Sequence, residues 1–136
     1  MKLTVRKTTN YDAINELDNY YFYGCEPLNF DDCIAYMVTA SGGINVAYLV
    51  ANKLADGFYF LSRVAVVEDY RGNNLQYRLQ KRLEMDLRTA GVKAISTYTM
   101  VGNVHSANNM IKTGYRMYNP AYAWVGDDVN YWKLDL

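Results

Sequence analysis

Cysteine, histidine and proline are all scarce in this chain: 136 residues hold two cysteines, Cys25 and Cys33, one histidine, His105, and two prolines. Two isolated thiols do not make a disulfide framework, and one imidazole without Cys/His spacing does not make a zinc site, so reduced thiols and no metal are expected. With so little proline and no low-complexity tract, nothing reads as a linker, and residues 1–136 are expected to form a single domain. Neither sign of charge dominates, since fourteen Lys and Arg balance fourteen Asp and Glu. No global field therefore draws the chain to nucleic acid or to an anionic membrane, and any polyanion must be held by a local site. No apolar run approaches the roughly 20 residues that span a bilayer, and "MKLTVRKTTN" lacks the apolar stretch of a signal peptide, which predicts a soluble, cytoplasmic protein.

What is abundant is apolar surface and tyrosine. Hydrophobic residues make up 51% of the chain, enough for one real core, and three of its fourteen tyrosines fall within "NYYFYG" at 19–24. A tyrosine buries a large ring and keeps a polar tip, so the cluster suits ordinary sheet and core packing, a half-wet cleft wall, or an interface such as that of a homodimer.

"KLTVRKT" alternates as a half-buried strand over 2–8, and "TNYDAINELDNYY" follows with Thr9 or Asn10 as cap and Ala13, Ile14, Leu17 and Tyr21 at helical spacing. Gly24 and Pro27 break the chain, leaving "LNFDDC" at most a short helical turn. "CIAYMVTA", "INVAYLVANKLA" and "FYFLSRVAVV", separated by "SGG" and "DG", read as a three-stranded antiparallel meander. From Asn74 the period changes, with Leu75, Leu79, Leu83 and Leu87 on one side of a helix and Gln80, Lys81, Glu84 and Arg88 on the other, closed by Gly91. "KAISTYTM" is a strand, "VHSANNMIKT" a helix stopped by Gly114, and "YRMY" and "AWVGDDVNYWKLDL" supply the closing strands. The order predicts a mixed α/β (α+β) fold, a mostly antiparallel sheet of six to seven strands flanked by three to four helices.

Within this order "VVEDYRGNNLQYRL", residues 66–79, runs from a strand through a polar turn into a helix. Free N–H groups and the helix dipole can meet a phosphate there, although many such turns bind nothing. "RVAVVEDYRGNNLQYRL" resembles the first signature of the GCN5-related N-acetyltransferase (GNAT) superfamily, and "NVHSANNMIKTGYRMY" resembles its second, carried by Asn103, Ser106, Gly114 and Tyr115. The two lie in the family's order and separation.

The resemblance implies an acetyl-CoA-dependent N-acetyltransferase with acetyl-CoA as cosubstrate and a small-molecule or peptide amine as acceptor. It implies that the pantetheine arm pairs with the backbone of Val64, Ala65 and Val66, and that the pyrophosphate rests on Arg71, Gly72, Asn73, Asn74, Leu75 and Gln76. Asn103 and Ser106 would line the cofactor's other side; as residue types they equally suit the cap of the next helix. The chain departs from the family's pattern where small residues become Asn74 and Gln76, whose side chains would either crowd the phosphates or donate to them. It departs again at Met110, where many members carry a tyrosine that protonates the leaving thiolate. Tyr98 or Tyr115 could substitute, and Tyr98, Glu26, Asp31 and Asp32 are candidate bases, ahead of His105. Tyr20, Tyr21, Tyr23 and Glu26 fall where the family places its acceptor wall. The same departures define the alternative, a catalytically weak or inactive member with a CoA-binding, structural or partner-binding role.

Overall fold

A computed structural model describes residues 2–55 and 57–136, so Asp56 of the expected "DG" turn lies outside the described residues. One seven-stranded sheet organises the chain, in the order β1-β2-β3-β4-β5-β7-β6. Its strands are β1 (Leu3–Lys7), β2 (Cys33–Ala40), β3 (Ile44–Lys53), β4 (Phe58–Val66), β5 (Ala94–Met100), β6 (Arg116–Met117) and β7 (Val129–Asp135). The helices are α1 (Tyr11–Tyr21), α2 (Leu75–Thr89) and α3 (Val104–Lys112), with a single 3-10 turn at Glu68–Tyr70. Every neighbouring pair is antiparallel except β4 and β5.

The helix ends follow from local chemistry. Asn10 caps α1, its Oδ1 accepting from the N–H of Ala13 at 3.2 Å. After α2 the chain turns back through Gly91, with Val92 N–H donating to Leu87 O at 3.0 Å; after α3 it does so through Gly114, with Tyr115 N–H donating to Met110 O at 2.9 Å.

The sheet separates two cores. On one face the leucines 75, 79, 83 and 87 of α2 pack with Val38, Leu49, Leu61, Ile95, Met110 and Trp132. Burying each such leucine contributes roughly 1.5–3 kcal/mol. On the other face Ile14 of α1 packs with Ala35, Met37, Tyr48 and Val50.

Polar anchors join α1 and α2 to the sheet. Asp18 of α1 is 3% exposed and accepts from the Tyr48 hydroxyl at 2.5 Å and from Arg63 Nη1 at 2.9 Å. Burial, with this bond to Asp18, pushes the Tyr48 hydroxyl pKa far up. On the opposite face Asp86 of α2 accepts from the Tyr36 hydroxyl at 2.6 Å and from Arg82 Nε at 3.1 Å. Burial works to raise the Asp86 carboxyl, but these two bonds outweigh it and hold it below its ordinary 3.8.

In the "LNFDDC" stretch Asp31 and Asp32 make a turn into β2, within what was expected there. The structure corrects the expected elements in two places. The closing strands are shorter than "YRMY" and "AWVGDDVNYWKLDL" suggested, because 118–128 loops across the end of the sheet before β7 begins. Gln80, placed on the outer side of α2, is fully buried because a second stripe of the helix, Gln76 and Gln80, faces the end of α3.

Replacing Asp18 by Ala leaves the Arg63 charge and the Tyr48 hydroxyl unpaired in the interior. The expected loss is about 3–5 kcal/mol, against about 1.5–3 kcal/mol for Tyr48→Phe, read by urea unfolding. The Asp86 contribution is present above its unfolded pKa near 3.8 and disappears as pH falls through its lower folded value. Asp86→Asn is therefore expected to be less stable than wild type at neutral pH but to lose less stability below about pH 4.

Candidate active site

The β4–β5 pair is parallel and unusually short. Only Phe58, Tyr59 and Phe60 find partners, in Ala94, Ile95 and Ser96. Beyond them β5 stays with β7 as far as Met100, while β4 stays with β3 as far as Val66, so the two strands diverge. A register shift between Val50 and Ala51 leaves Ser62 as an extra residue on β4, and such a bulge bends and twists its strand. At the vertex the Thr97 hydroxyl donates to Leu61 O at 2.8 Å, satisfying the last carbonyl before the gap.

The register shows which backbone groups face that gap. Val67 N–H donates to Val46 O at 2.8 Å. Antiparallel alternation then points the N–H and C=O of Ala65 and Arg63 at β3 and leaves those of Val64 and Val66 facing the open side. Of the three residues singled out on this strand, Ala65 therefore spends its backbone on Tyr48, because neighbours along a strand face opposite edges.

Two open lobes occupy the divergence, of about 1150 Å³ and about 670 Å³. Phe22, Val64, Asn103 and Ser106 line both, so the lobes form one continuous groove.

The larger lobe ends at the start of α2. None of the six consecutive N–H groups from Gly72 to Tyr77 has a partner among the described residues, and the first turn of α2 carries no acid. Arg71 and Lys112 add positive charge to the lining, and Glu68 and Asp69 stand outside it. Such a set of dipoles and oriented donors has the chemistry to hold an anion. Gly72, at φ +87, has nothing within 4 Å of where a Cβ would stand, so the loop surface is open to a ligand.

The two amide side chains in this turn are accommodated differently. Asn74 adopts the left-handed conformation, φ 61 and ψ 28, that the missing glycine would supply, and its Oδ1 reaches Lys112 Nζ at 3.4 Å. Gln76 turns inward, donating from Nε2 to Gln80 Oε1 at 2.9 Å, while Gln80 donates to Thr113 Oγ1 at 2.8 Å. Gln76 lines the larger lobe, but one of the two donors of its amide is used within the core. Asn73 donates to Tyr70 O at 2.9 Å and braces the turn. Leu75 is core, and its contribution to the site is its free N–H.

Asn103 combines the two roles open to it. Its Oδ1 accepts from Ser106 N–H at 3.1 Å, capping α3, and both residues line the groove. His105 lies on the rim of the larger lobe, next to Asn109.

The smaller lobe holds Tyr98, half-buried on β5, along with Glu26. Tyr115 is not in the groove: it is 4% exposed, its hydroxyl has no partner among the described residues, and burial drives its pKa up. The tight turn at Gly114 sends it under α2, so of these two tyrosines Tyr98 alone lines the groove. Met110 lies at the base of the lobe with Gln80 Nε2 at 3.7 Å from its sulfur.

Of the four residues expected at the acceptor wall, only Glu26 lines the smaller lobe, and the expectation is corrected at the three tyrosines. Tyr20 and Tyr23 are 77% and 92% exposed and do not line the groove, because the inward stripe of α1 runs through Ile14, Asp18 and Tyr21. Tyr21 lines the larger lobe. Asp31 and Asp32 line neither.

Sequence reasoning missed Arg63 and Trp124. Arg63 donates to Asp18 and, through Nη2, to Glu26 O at 2.9 Å, pinning the wall to the sheet. Trp124 is set by its loop, where Val125 N–H donates to the Tyr131 hydroxyl at 2.9 Å and that hydroxyl donates to Gly126 O at 2.8 Å. An arginine inside an apolar strand was a usable signal for the first; nothing local signals the second.

Comparison with known proteins agrees with this architecture. The structure of the ribosomal-protein-S18-alanine N-acetyltransferase of Escherichia coli matches with a TM-score of 0.79 at 16% identity, covering 98% of this chain and 94% of that one. A Bacillus subtilis acetyltransferase in complex with CoA matches with a TM-score of 0.72 at 16% identity over 99% of both chains. An acetyltransferase of the GNAT family from Staphylococcus aureus matches with a TM-score of 0.79 at 11% identity over 98% and 99%. Among curated proteins no sequence matches. The sequence profile of the acetyltransferase (GNAT) family matches residues 4–115, and the chain belongs to that family.

Proposed function

We propose that this chain is an acetyl-CoA-dependent N-acetyltransferase, with residues 1–136 as its catalytic domain, that transfers an acetyl group to an amine by direct attack in a ternary complex. The observation that carries the proposal is the meeting of the two lobes at Val64. A free strand edge there leads one way to six unpartnered amides and the other way to a tyrosine-bearing lobe. The residues fit acetyl-CoA: Val64 and Val66 offer alternating donors and acceptors to the amides of a pantetheine arm. The N–H groups of Gly72 to Tyr77, with Arg71 and Lys112, suit a pyrophosphate.

When bound, acetyl-CoA supplies the thioester carbonyl that an amine attacks, with CoA thiolate as leaving group. Val64 N–H, facing the groove, is placed to hold the carbonyl oxygen as charge grows on it. Tyr98 lines this lobe, and its hydroxyl is the group that would give a proton to the thiolate. Glu26, the one acidic residue lining the acceptor lobe among the described residues, takes one proton of the ammonium directly or through water and frees the attacking lone pair; the second N–H proton, lost as the tetrahedral intermediate collapses to the amide, restores the Tyr98 hydroxyl that has protonated the thiolate. Met110 cannot donate a proton, which favours the second reading, a catalytically weak member that binds CoA without efficient turnover. A thiol pKa near ~8.5 already makes CoA a good leaving group, so the missing acid slows the first reading without excluding it.

Acetyl-CoA at 100 times its dissociation constant is expected to stabilise the protein by about 2.7 kcal/mol; no thermal shift at millimolar acetyl-CoA removes both readings. Thiol release with an amine panel then separates them. Tyr98→Phe is expected to lower kcat roughly 10²-fold with acetyl-CoA affinity unchanged. Asn74→Gly should leave CoA affinity unchanged, whereas Asn74→Val, strained in the left-handed conformation by about 1–2 kcal/mol, should weaken it.

A further inference from the structure

Phe60 and Tyr98 stand side by side at the vertex of the groove, their rings 6.2 Å apart and 16° from parallel. Trp124 comes in from the 118–128 loop nearly perpendicular to both, at 5.4 Å and 5.8 Å, and is backed by Tyr131 at 5.1 Å. It keeps 40% of its surface exposed, so one side of this three-ring wall is uncovered at the acceptor lobe.

Charge in the same lobe is sparse. Among the described residues its lining holds one acidic residue, Glu26, and one basic residue, Arg63. The guanidinium is already committed to Asp18, to Glu26 O and to the Phe22 ring, 4.8 Å away. A polyamine or aminoglycoside would bring several ammonium groups into a lobe with one carboxylate to receive them, and each unpaired charge taken from water is costly. A single ammonium on a flat apolar body meets a matched surface: one carboxylate for the charge, and ring faces that attract both the cation and the body.

We propose that the acceptor is a primary monoamine carried on an aromatic or broad apolar body, with Phe60, Tyr98 and Trp124 as its binding wall. The amine rests on the acetyltransferase reading above; the wall's preference can be read without turnover.

Wild-type protein saturated with CoA is titrated with phenethylamine, spermidine and kanamycin by calorimetry and tryptophan fluorescence, and the same amines are offered with acetyl-CoA in a thiol-release assay. Phenethylamine is expected to bind and to be acetylated with kcat/KM at least about tenfold above the others. Trp124→Ala should raise its KM about tenfold, and Trp124→Phe should restore most of the loss. Propylamine, which lacks a ring to stack, should respond to neither change. Preference for spermidine or kanamycin, or equal losses on phenethylamine and propylamine in Trp124→Ala, overturns the assignment. Phenethylamine binding without thiol release leaves the wall standing and counts against the transferase reading. Thiol release with no preference among the amines counts against the wall alone.

Discussion

The divergence of β4 from β5 is the constraint on which the rest of the site depends. A sheet interior normally leaves no strand edge free, because an unpaired N–H or C=O away from water costs about as much as a lost hydrogen bond. Here the pairing stops after Phe60 and Ser96, and the edge beyond it is managed group by group. Thr97 takes the carbonyl of Leu61, Arg71 Nε approaches that of Val66 at 3.4 Å, and the groups of Val64 between them remain for a ligand or water. The bulge at Ser62 supplies the bend, and the short parallel pairing supplies the hinge point.

What lies on either side of the gap is held by polar anchors rather than by packing alone. Arg63 and Asn52 reach from β4 and β3 to the backbone of the 24–32 segment, Asn52 Nδ2 donating to Asn29 O at 2.8 Å and to Asp31 O at 3.1 Å. The segment that carries Glu26 is thereby fixed relative to the strand whose edge it faces. On the other side the Gln76–Gln80–Thr113 chain ties the start of α2 to the end of α3. Both helix termini at the groove are positioned by one buried network, whose members are satisfied and so specific in geometry.

Much of this was legible in the sequence. The leucine stripe of α2, the caps at Asn10 and Asn103, the stops at Gly91 and Gly114 and the strand-turn-helix at 66–79 all rest on interactions within a few residues, and they appear in the structure as read. What escaped was decided at long range. Gln76 and Gln80 look like solvated helix residues until α3 is placed against them. Tyr20 and Tyr23 look like a cleft wall until the axis of α1 is fixed by Ile14 and Asp18. Trp124 becomes part of a groove only because the 118–128 loop crosses the sheet end and is tied there by Tyr131. The Asn74 departure, by contrast, was legible in kind: asparagine is the residue that best tolerates the left-handed conformation it adopts.

The central claim is that a free β4 edge and the unpartnered amides at the start of α2 form one binding surface for CoA. Amide chemical shifts of the ¹⁵N-labelled protein, followed during titration with CoA, test it residue by residue. The account predicts that Val64, Val66 and the run Gly72 to Tyr77 move together and saturate at one dissociation constant, with Ala65 moving less. Saturable shifts confined to other residues, or none at all at millimolar CoA, would contradict it.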